Sequence, residues 1–451
     1  MVQNILSIPS IDIPDENTSA ILSPEVQMPL RVRQLLDHFK GLWWDCPTSP
    51  PTFDRIYSPS EQRTLEKELQ SLLKGVCKAL DHLPGTEAEN QELQKHFFTH
   101  ASRLLNSAFG FQTAHLKYLE TYGFFDVTAD FIRSARRFDP QISPTDLFQA
   151  SRNLWSMNFV QLLLGMPLEL TPSLLAYSML YPYSDNYLDD PAIPYQEKLD
   201  FSRRFGQRLL GETPKAFNSN EQSMFDLVEM IEGQYERHCF PEVYESLLAI
   251  FHAQNKSMAL LRGAASPYEI DVLGICFEKG GTSVLADGYL VGGRLTPAQE
   301  EFIFLYGTLT QLLDDLEDVK ADLNAGLNTV FSQTAGRWPL DAITNRTISY
   351  GELLLKALEN FTLPNLDPLK NLIRQSITPM MVDAAAQSPN LYTRGYLRNL
   401  QVHFPFRFSF LGKMRRKYVQ NSDLPAKLVE MALPSHPSPP PIPTDRGGAR
   451  R

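Results

Sequence analysis

An all-α fold is what this sequence predicts, and three observations carry it. Apolar residues recur at three- and four-residue spacing through ten segments: 61–82, 90–122, 144–164, 172–190, 196–210, 221–237, 242–262, 268–291, 297–325 and 350–360. Alternating runs of strand length are absent. No fixed-period repeat is visible, so roughly ten helices are expected in a single large bundle rather than a solenoid.

The segments differ in how clearly they declare themselves. In 144–164, Leu147, Leu154, Trp155, Phe159, Leu162 and Leu163 fall mostly on one side. Segment 172–190 opens with Thr171 as a cap and Pro172 in the first turn. It should stop at Asp190, because Pro191 disfavours a helical residue before it. Segment 297–325 repeats the Thr-Pro start at Thr296 and Pro297, adds Gln299 for a capping box, and stops at Gly326. Outside the bundle, residues 1–28 read as a flexible leader and 29–94 as an N-terminal helical extension, with a proline-rich loop at 48–60. Residues 95–433 form the main helical domain, and the Pro-rich 434–451 form a disordered tail.

Composition narrows the function. The 451 residues suffice for a large core, and 43% hydrophobic with 21% charged is ordinary for a globular chain. A net charge of -10 argues against a nucleic-acid partner. Cys46, Cys77, Cys239 and Cys276 are scattered and read as reduced thiols. The N-terminus lacks a basic n-region, and no apolar run reaches membrane-spanning length. A cytoplasmic protein is expected; the oligomeric state stays open, a dimer included.

Both Thr-Pro helices end in acid. The first carries Asp185-Asn-Tyr-Leu-Asp189-Asp190, with Asp185 and Asp189 about 40° apart on an ideal helix. The second carries Asp314-Asp-Leu-Glu-Asp318-Val-Lys-Ala-Asp322; Gln311, Asp314, Asp315, Asp318 and Asp322 share a stripe about 100° wide, and Glu317 points away. Like charges at i,i+4 cost a few tenths of a kcal/mol per pair, and carboxylates at a helix C-terminus oppose its dipole by roughly 0.3–1 kcal/mol each. A bound cation removes both penalties. The runs lack the Gly and ligand alternation of an EF-hand, and no His or Cys lies near, so Mg²⁺ is the expected ion, with Mn²⁺ as a substitute. Mg²⁺ keeps sites for water and phosphate oxygens, so a phosphorylated substrate is implied.

These residues resemble the class I isoprenoid synthases. Asp185-x-x-x-Asp189 and Asp314-x-x-Glu317-Asp318 look like the two metal motifs of the squalene and phytoene synthase branch. Phe277-Glu-Lys-Gly-Gly-Thr-Ser283 is similar to the Lys-Gly-Gly helix break of the bacterial large-terpene synthases, the tetraprenyl-β-curcumene synthase type. The resemblance spans about residues 95–420. It implies a helical bundle around a central apolar cavity, a polyprenyl diphosphate substrate and three Mg²⁺ ions held by Asp185, Asp189, Asp314, Asp318 and Asp322. The early Gly-Gly-Lys-x-x-Arg-Pro segment of chain-elongating enzymes is missing, as is the Asn-Asp-x-x-Ser-x-x-x-Glu motif of most terpene cyclases.

Further candidates complete the expected site. Lys279, aimed inward by a bend at Gly280-Gly281, is expected with Gln311 and Arg416 to bind diphosphate. Tyr183, Tyr187, Tyr306, Trp155 and Phe159 are candidate stabilisers of a carbocation. The expected reaction is ionisation of one prenyl diphosphate by a terpene synthase. The alternatives are condensation of two prenyl diphosphates, or a non-enzymatic metal-binding helical protein.

Overall fold

The computed structural model describes residues 24–53, 55–80, 87–189, 192–262 and 270–420. The described residues are all-helical, with no strands. In chain order the α-helices are α1 (Pro24–Asp45), α2 (Pro59–Leu80), α3 (Glu87–Phe109), α4 (Thr113–Thr121), α5 (Phe124–Phe138) and α6 (Pro144–Leu163). They continue with α7 (Pro172–Asp189), α8 (Tyr195–Leu209), α9 (Ser219–Gln234), α10 (Pro241–Ser257), α11 (Val272–Gly292) and α12 (Pro297–Glu317). The last five are α13 (Val319–Ala325), α14 (Asp341–Leu358), α15 (Asp367–Gln387), α16 (Arg394–Val402) and α17 (Phe408–Arg415). None of the described helices is long and apolar enough to cross a membrane.

Helix α11 is the axis of the bundle. Its sequence, VLGICFEKGGTSVLADGYLVG, is apolar almost all round, and such a helix must be enclosed. It packs on α12, α10, α6, α1 and α7. The approach to α12 is closest at Gly280 and Gly307: a methyl group on either would run into the other's backbone carbonyl. The next residue, Gly281, leaves room for the Phe304 ring. No break in α11 occurs at the expected Gly280-Gly281 bend. The helix is continuous through both residues, and the glycines serve close approach to α12.

The expected caps form. Leu174 N–H reaches the Thr171 hydroxyl at 3.4 Å, Thr296 and Gln299 make a capping box, and Gly326 closes the acidic segment at φ +71°. That segment is two helices rather than one. Asp318 sits at φ -91°, ψ 6°, ending α12 and opening α13. Gly110 at φ +77° likewise splits the expected 90–122 helix into α3 and α4.

The N-terminal segment belongs to the core. Helix α1 starts inside the expected leader and packs on the central helices, with Phe39 stacked 5.9 Å from Phe304 and Trp43 edge-on to Phe277 and Tyr350. One buried cluster runs from Met28 to Phe406. The rest of the expected leader and the 434–451 tail lie outside the described residues.

The helix crossing yields a sharp contrast. Gly307→Ala must push α11 and α12 apart, so a loss of at least about 3 kcal/mol is expected, the upper end of overpacking costs. Gly233, near the end of α9 with nothing within 4 Å of an added methyl, is the opposite case. Gly233→Ala should gain up to about 1 kcal/mol from helix propensity. Urea unfolding of the two variants beside the parent checks both signs.

Candidate functional site

Five helices, α7, α8, α10, α11 and α12, wall a cavity that is partly open to solvent. Pairings fix its levels. Ser202 Oγ lies 3.0 Å from Asn255 Oδ1, and Phe205 lies 5.8 Å from Phe251, so α8 and α10 run antiparallel with Leu209 opposite Leu247. The Tyr177 hydroxyl donates to the Ser283 carbonyl at 3.3 Å, which sets α7 against α11. At one end stand Lys279, Gln311, Asp314, Gln254, Asn255 and Ser184; at the other, Leu209, Leu247 and Val284, with Tyr177 among them. The cavity is polar at its mouth and apolar at its floor. Phe201, Phe205 and Phe251 line the length between.

Asp314 marks the mouth. It comes there because α12 runs antiparallel to α11, pressing Gln311 against Gly280 and leaving the next turn of α12 beside Lys279. Arg152 of α6 donates to Asp314 Oδ1 at 3.1 Å. The Asp314 side chain is 46% accessible, yet the surrounding walls displace much of its water. That burial raises its carboxyl above the usual range and the charge of Asp318 adds to it, against the pull of Arg152 and Lys279.

A second layer of acid lies behind the mouth. Asp315 is buried, accepts from Gln311 Nε2 at 2.8 Å through Oδ1, and leaves Oδ2 without a hydrogen bond. Burial, with the charge of Asp322 adding, pushes its carboxyl up to about 7. Burial and Asp318 push Asp322 up to about 6, while Thr329 donates to Asp322 Oδ2 at 3.3 Å. Cys276 on α11 faces Asp315, and burial raises its thiol. Deeper still, Asp287 lies two helical turns below Lys279 on α11. It is fully buried and held by Ser156 at 3.0 Å and Asn153 at 3.4 Å. Burial raises its carboxyl well above the usual carboxylate range, against the donation from Ser156 and Asn153.

The sequence candidates separate in space. Lys279, Gln311 and Asp314 line the cavity together. Asp318 is exposed at the junction of α12 and α13, and Asp322 is buried beneath the 327–332 turn; neither lines the cavity. Asp185 and Asp189 lie on the last turns of α7, and their side chains are outside the described part. Glu317 turns to α15, where Gln387 donates to it at 3.1 Å, in keeping with its expected outward face.

The aromatic candidates go elsewhere. Tyr183 donates to Asp139 at 2.6 Å, and Tyr187 packs on Phe201. Trp155 donates to Thr128 at 3.1 Å, and Phe159 packs on Tyr306, 5.1 Å away. The rings that line the cavity are Tyr177, Tyr181, Phe201, Phe205 and Phe251. Tyr181 and Tyr177 stand one and two turns before Asp185 on α7, a spacing visible in sequence. The α8 and α10 rings needed the packing. Arg416 is exposed after α17 and does not line the cavity. The neighbouring Arg415 pairs with Asp383, and Arg407 with the buried Glu66. Arg152 was not foreseen, because nothing local sets it apart from other exposed helix arginines.

No family model, curated protein or solved structure matches this chain. The chemistry of the site must stand on its residues.

Those residues suit a hard cation. Asp318 lies within electrostatic reach of Asp314, and Mg²⁺ binds through one or two carboxylates plus water and phosphate. Among the described residues, three ligating groups with close donors occur together only at Glu236, His238 and Cys239, in the turn between α9 and α10. That turn packs by Tyr235 and Phe240 against Gly293, at the far end of α11 from Lys279. The carboxylates of α12 thus form an open acidic rim rather than a closed cage.

The raised acids give a pH signature. Asp315 and Asp322 bind protons more tightly folded than unfolded, so the native state holds more protons between about pH 4 and 7. Without metal, stability should fall as pH rises through that window. Asp315→Asn should flatten the fall, and Mg²⁺ should restore stability at pH 7.5. Urea midpoints from pH 4 to 8 in chelator measure the slope; a rise in stability across the window refutes the assignment.

Proposed function

We propose that this chain is a Mg²⁺-dependent class I terpene synthase, which ionises a polyprenyl diphosphate and releases diphosphate. The observation that carries the reading is the polarity of the cavity: lysine, amide and carboxylate at the mouth, leucine and aromatic rings below. A molecule with an anionic head and a hydrocarbon tail matches that order. The paired Asp-rich helix ends of the sequence supply the metal-binding half of the argument.

The residues divide the work. Mg²⁺, when bound, supplies Lewis-acid neutralisation of the leaving diphosphate. Asp314 on α12 and Asp318 at its end, with Asp185 and Asp189, are the ligands proposed for it, and Asp322, beneath the 327–332 turn, stands behind them. Lys279 places a fixed positive charge beside Asp314, where the leaving group develops negative charge. Gln311 offers an amide at the same level, its orientation set by its bond to Asp315. Arg152, paired to Asp314, holds that carboxylate at the rim and adds positive charge there. Below the mouth, Tyr181, Phe201, Phe205 and Phe251 exclude water and present ring faces to an allylic cation.

Incubation of the full chain with prenyl diphosphates and Mg²⁺ tests the reading through diphosphate release. Products with the substrate's carbon number are expected; a doubled number would assign condensation of two chains. Asp314→Asn should lower turnover at least about 100-fold, as loss of an electrostatic group at a reacting centre does. Lys279→Ala should lower it about 10-fold or more while the fold persists. Undiminished turnover in Asp314→Asn would remove the second motif from the mechanism.

A further inference from the structure

We propose that Glu236, His238 and Cys239, in the turn between α9 and α10, form a Zn²⁺ site with an open fourth position. The inference is independent of the prenyl diphosphate reading. The turn packs at the far end of α11 from Lys279, and its donor atoms differ in kind from those of the acidic rim.

The sequence sets a carboxylate, an imidazole and a thiol within one short run, Glu236-Arg-His238-Cys239. The turn brings them together. The N–H groups of Cys239 and Phe240 both donate to the Glu236 carbonyl at 3.0 Å, which folds the run back on itself. His238 Nδ1 then stands 3.4 Å from Glu236 Oε1, and Cys239 Sγ stands 3.5 Å from Glu236 Oε2. One donor atom from each residue lies within 4.8 Å of the other two. Zinc bonds of about 2.0–2.2 Å to nitrogen or oxygen and about 2.3 Å to sulfur, at tetrahedral angles, hold N···O pairs about 3.4 Å apart and S···O pairs about 3.6 Å apart. The observed separations are the edges of such a tetrahedron. A direct imidazole–carboxylate hydrogen bond would close to about 2.9 Å, so His238 and Glu236 stand at ligand spacing instead.

The backbone of the turn is fixed from both sides. Tyr235 is buried and donates to the Leu290 carbonyl at 2.8 Å, and the Phe240 ring packs on it with centroids 5.0 Å apart. Arg294 donates to the Cys239 carbonyl at 3.1 Å. Arg237, inside the run, is drawn away from the three donors. It donates to Glu232 and to the Leu209 carbonyl, both at 2.7 Å, and lies over the Tyr244 ring. Glu236, His238 and Cys239 are exposed, so an ion reaches them from solvent. A thiolate with an imidazole selects a borderline-soft ion, Zn²⁺, over Mg²⁺. The Zn–S bond forms as the thiol proton leaves to solvent, and water takes the fourth position. The ion ties the end of α9 to the start of α10 and, through Arg294, Tyr235 and Phe240, to the far end of α11.

Zinc titration of the full-length protein tests the site, in reductant and in excess Mg²⁺ to fill the acidic rim. One Zn²⁺ per chain should bind in competition with a chromophoric chelator. Cys239→Ser and His238→Ala should each weaken that binding at least about 10-fold, since even residues outside a coordination shell are worth about 10- to 100-fold in metal affinity. Co²⁺ in place of Zn²⁺ should show a thiolate charge-transfer band and the intense visible bands of tetrahedral coordination, and Cys239→Ser should abolish the first. Zinc should raise the urea midpoint of the parent and leave that of Cys239→Ser unchanged. Both substituted side chains are exposed, and circular dichroism checks the fold; Glu236→Gln replaces either variant that fails it. Absence of a stoichiometric site overturns the proposal, as does a Co²⁺ spectrum without the thiolate band or parental zinc affinity in the folded variants. Asp314→Asn should leave zinc affinity unchanged; a loss there would place the zinc at the rim and overturn the site as well. Each outcome is read without reference to prenyl diphosphate turnover.

Discussion

The contact between Gly280 and Gly307 governs where everything else can stand. Two helices whose side chains interleave run about 8–10 Å apart; here backbone meets backbone, and α11 and α12 approach as closely as chains allow. That closeness sets the side chains beside the crossing. Gln311 lies against Gly280, and Lys279 and Asp314 stand at one level of one wall. With any larger residue at the crossing, the lysine and the carboxylate would belong to separated helices. The polar mouth is thus a product of two missing side chains.

Around that crossing the fold tolerates a costly concentration of acid. Asp315 and Asp322 lie behind the rim, each raised toward neutral pH by burial and by the other carboxylates. Gln311 and Thr329 satisfy single oxygens, and Asp315 Oδ2 is left without a partner. Arg152 comes from a different helix to offset Asp314. Such an arrangement contributes little to folding. It makes sense as stored electrostatic strain that a cation relieves, which couples the stability of the rim to the binding step proposed for it.

Much of this was legible in the chain, for reasons that differ by residue. The Thr296 capping box, the Thr171 start and the Gly326 stop depend on neighbours within four positions, so sequence spacing was enough. The acidic stripe was legible as a stripe, but its end was not. Asp318 breaks the ideal helix, sending Asp322 beneath the 327–332 turn, away from the cavity. The glycine pair was noticed and misread, because a glycine that bends a helix and one that admits a neighbouring helix look alike until the neighbour is known. The aromatics failed for the same reason. Tyr183 and Tyr187 are close to the motif in sequence but look toward Asp139 and Phe201. The rings of α8 and α10, Phe201, Phe205 and Phe251, reach the cavity from 16 to 66 residues beyond Asp185.

The burial of α1 has a consequence for how the chain comes to be folded. Trp43 finds its partners at Phe277 and Tyr350, and Phe39 finds its own at Phe304. At about 5–20 residues per second, a ribosome needs on the order of 10–60 seconds to deliver those partners after Trp43 has been made. Throughout that interval the apolar face of α1 has nothing of its own chain to cover it. Contacts this distant in sequence also slow folding, since the loop must close before they stabilise anything. Helix α1, made long before its partners, is therefore among the last elements of the described core to be secured.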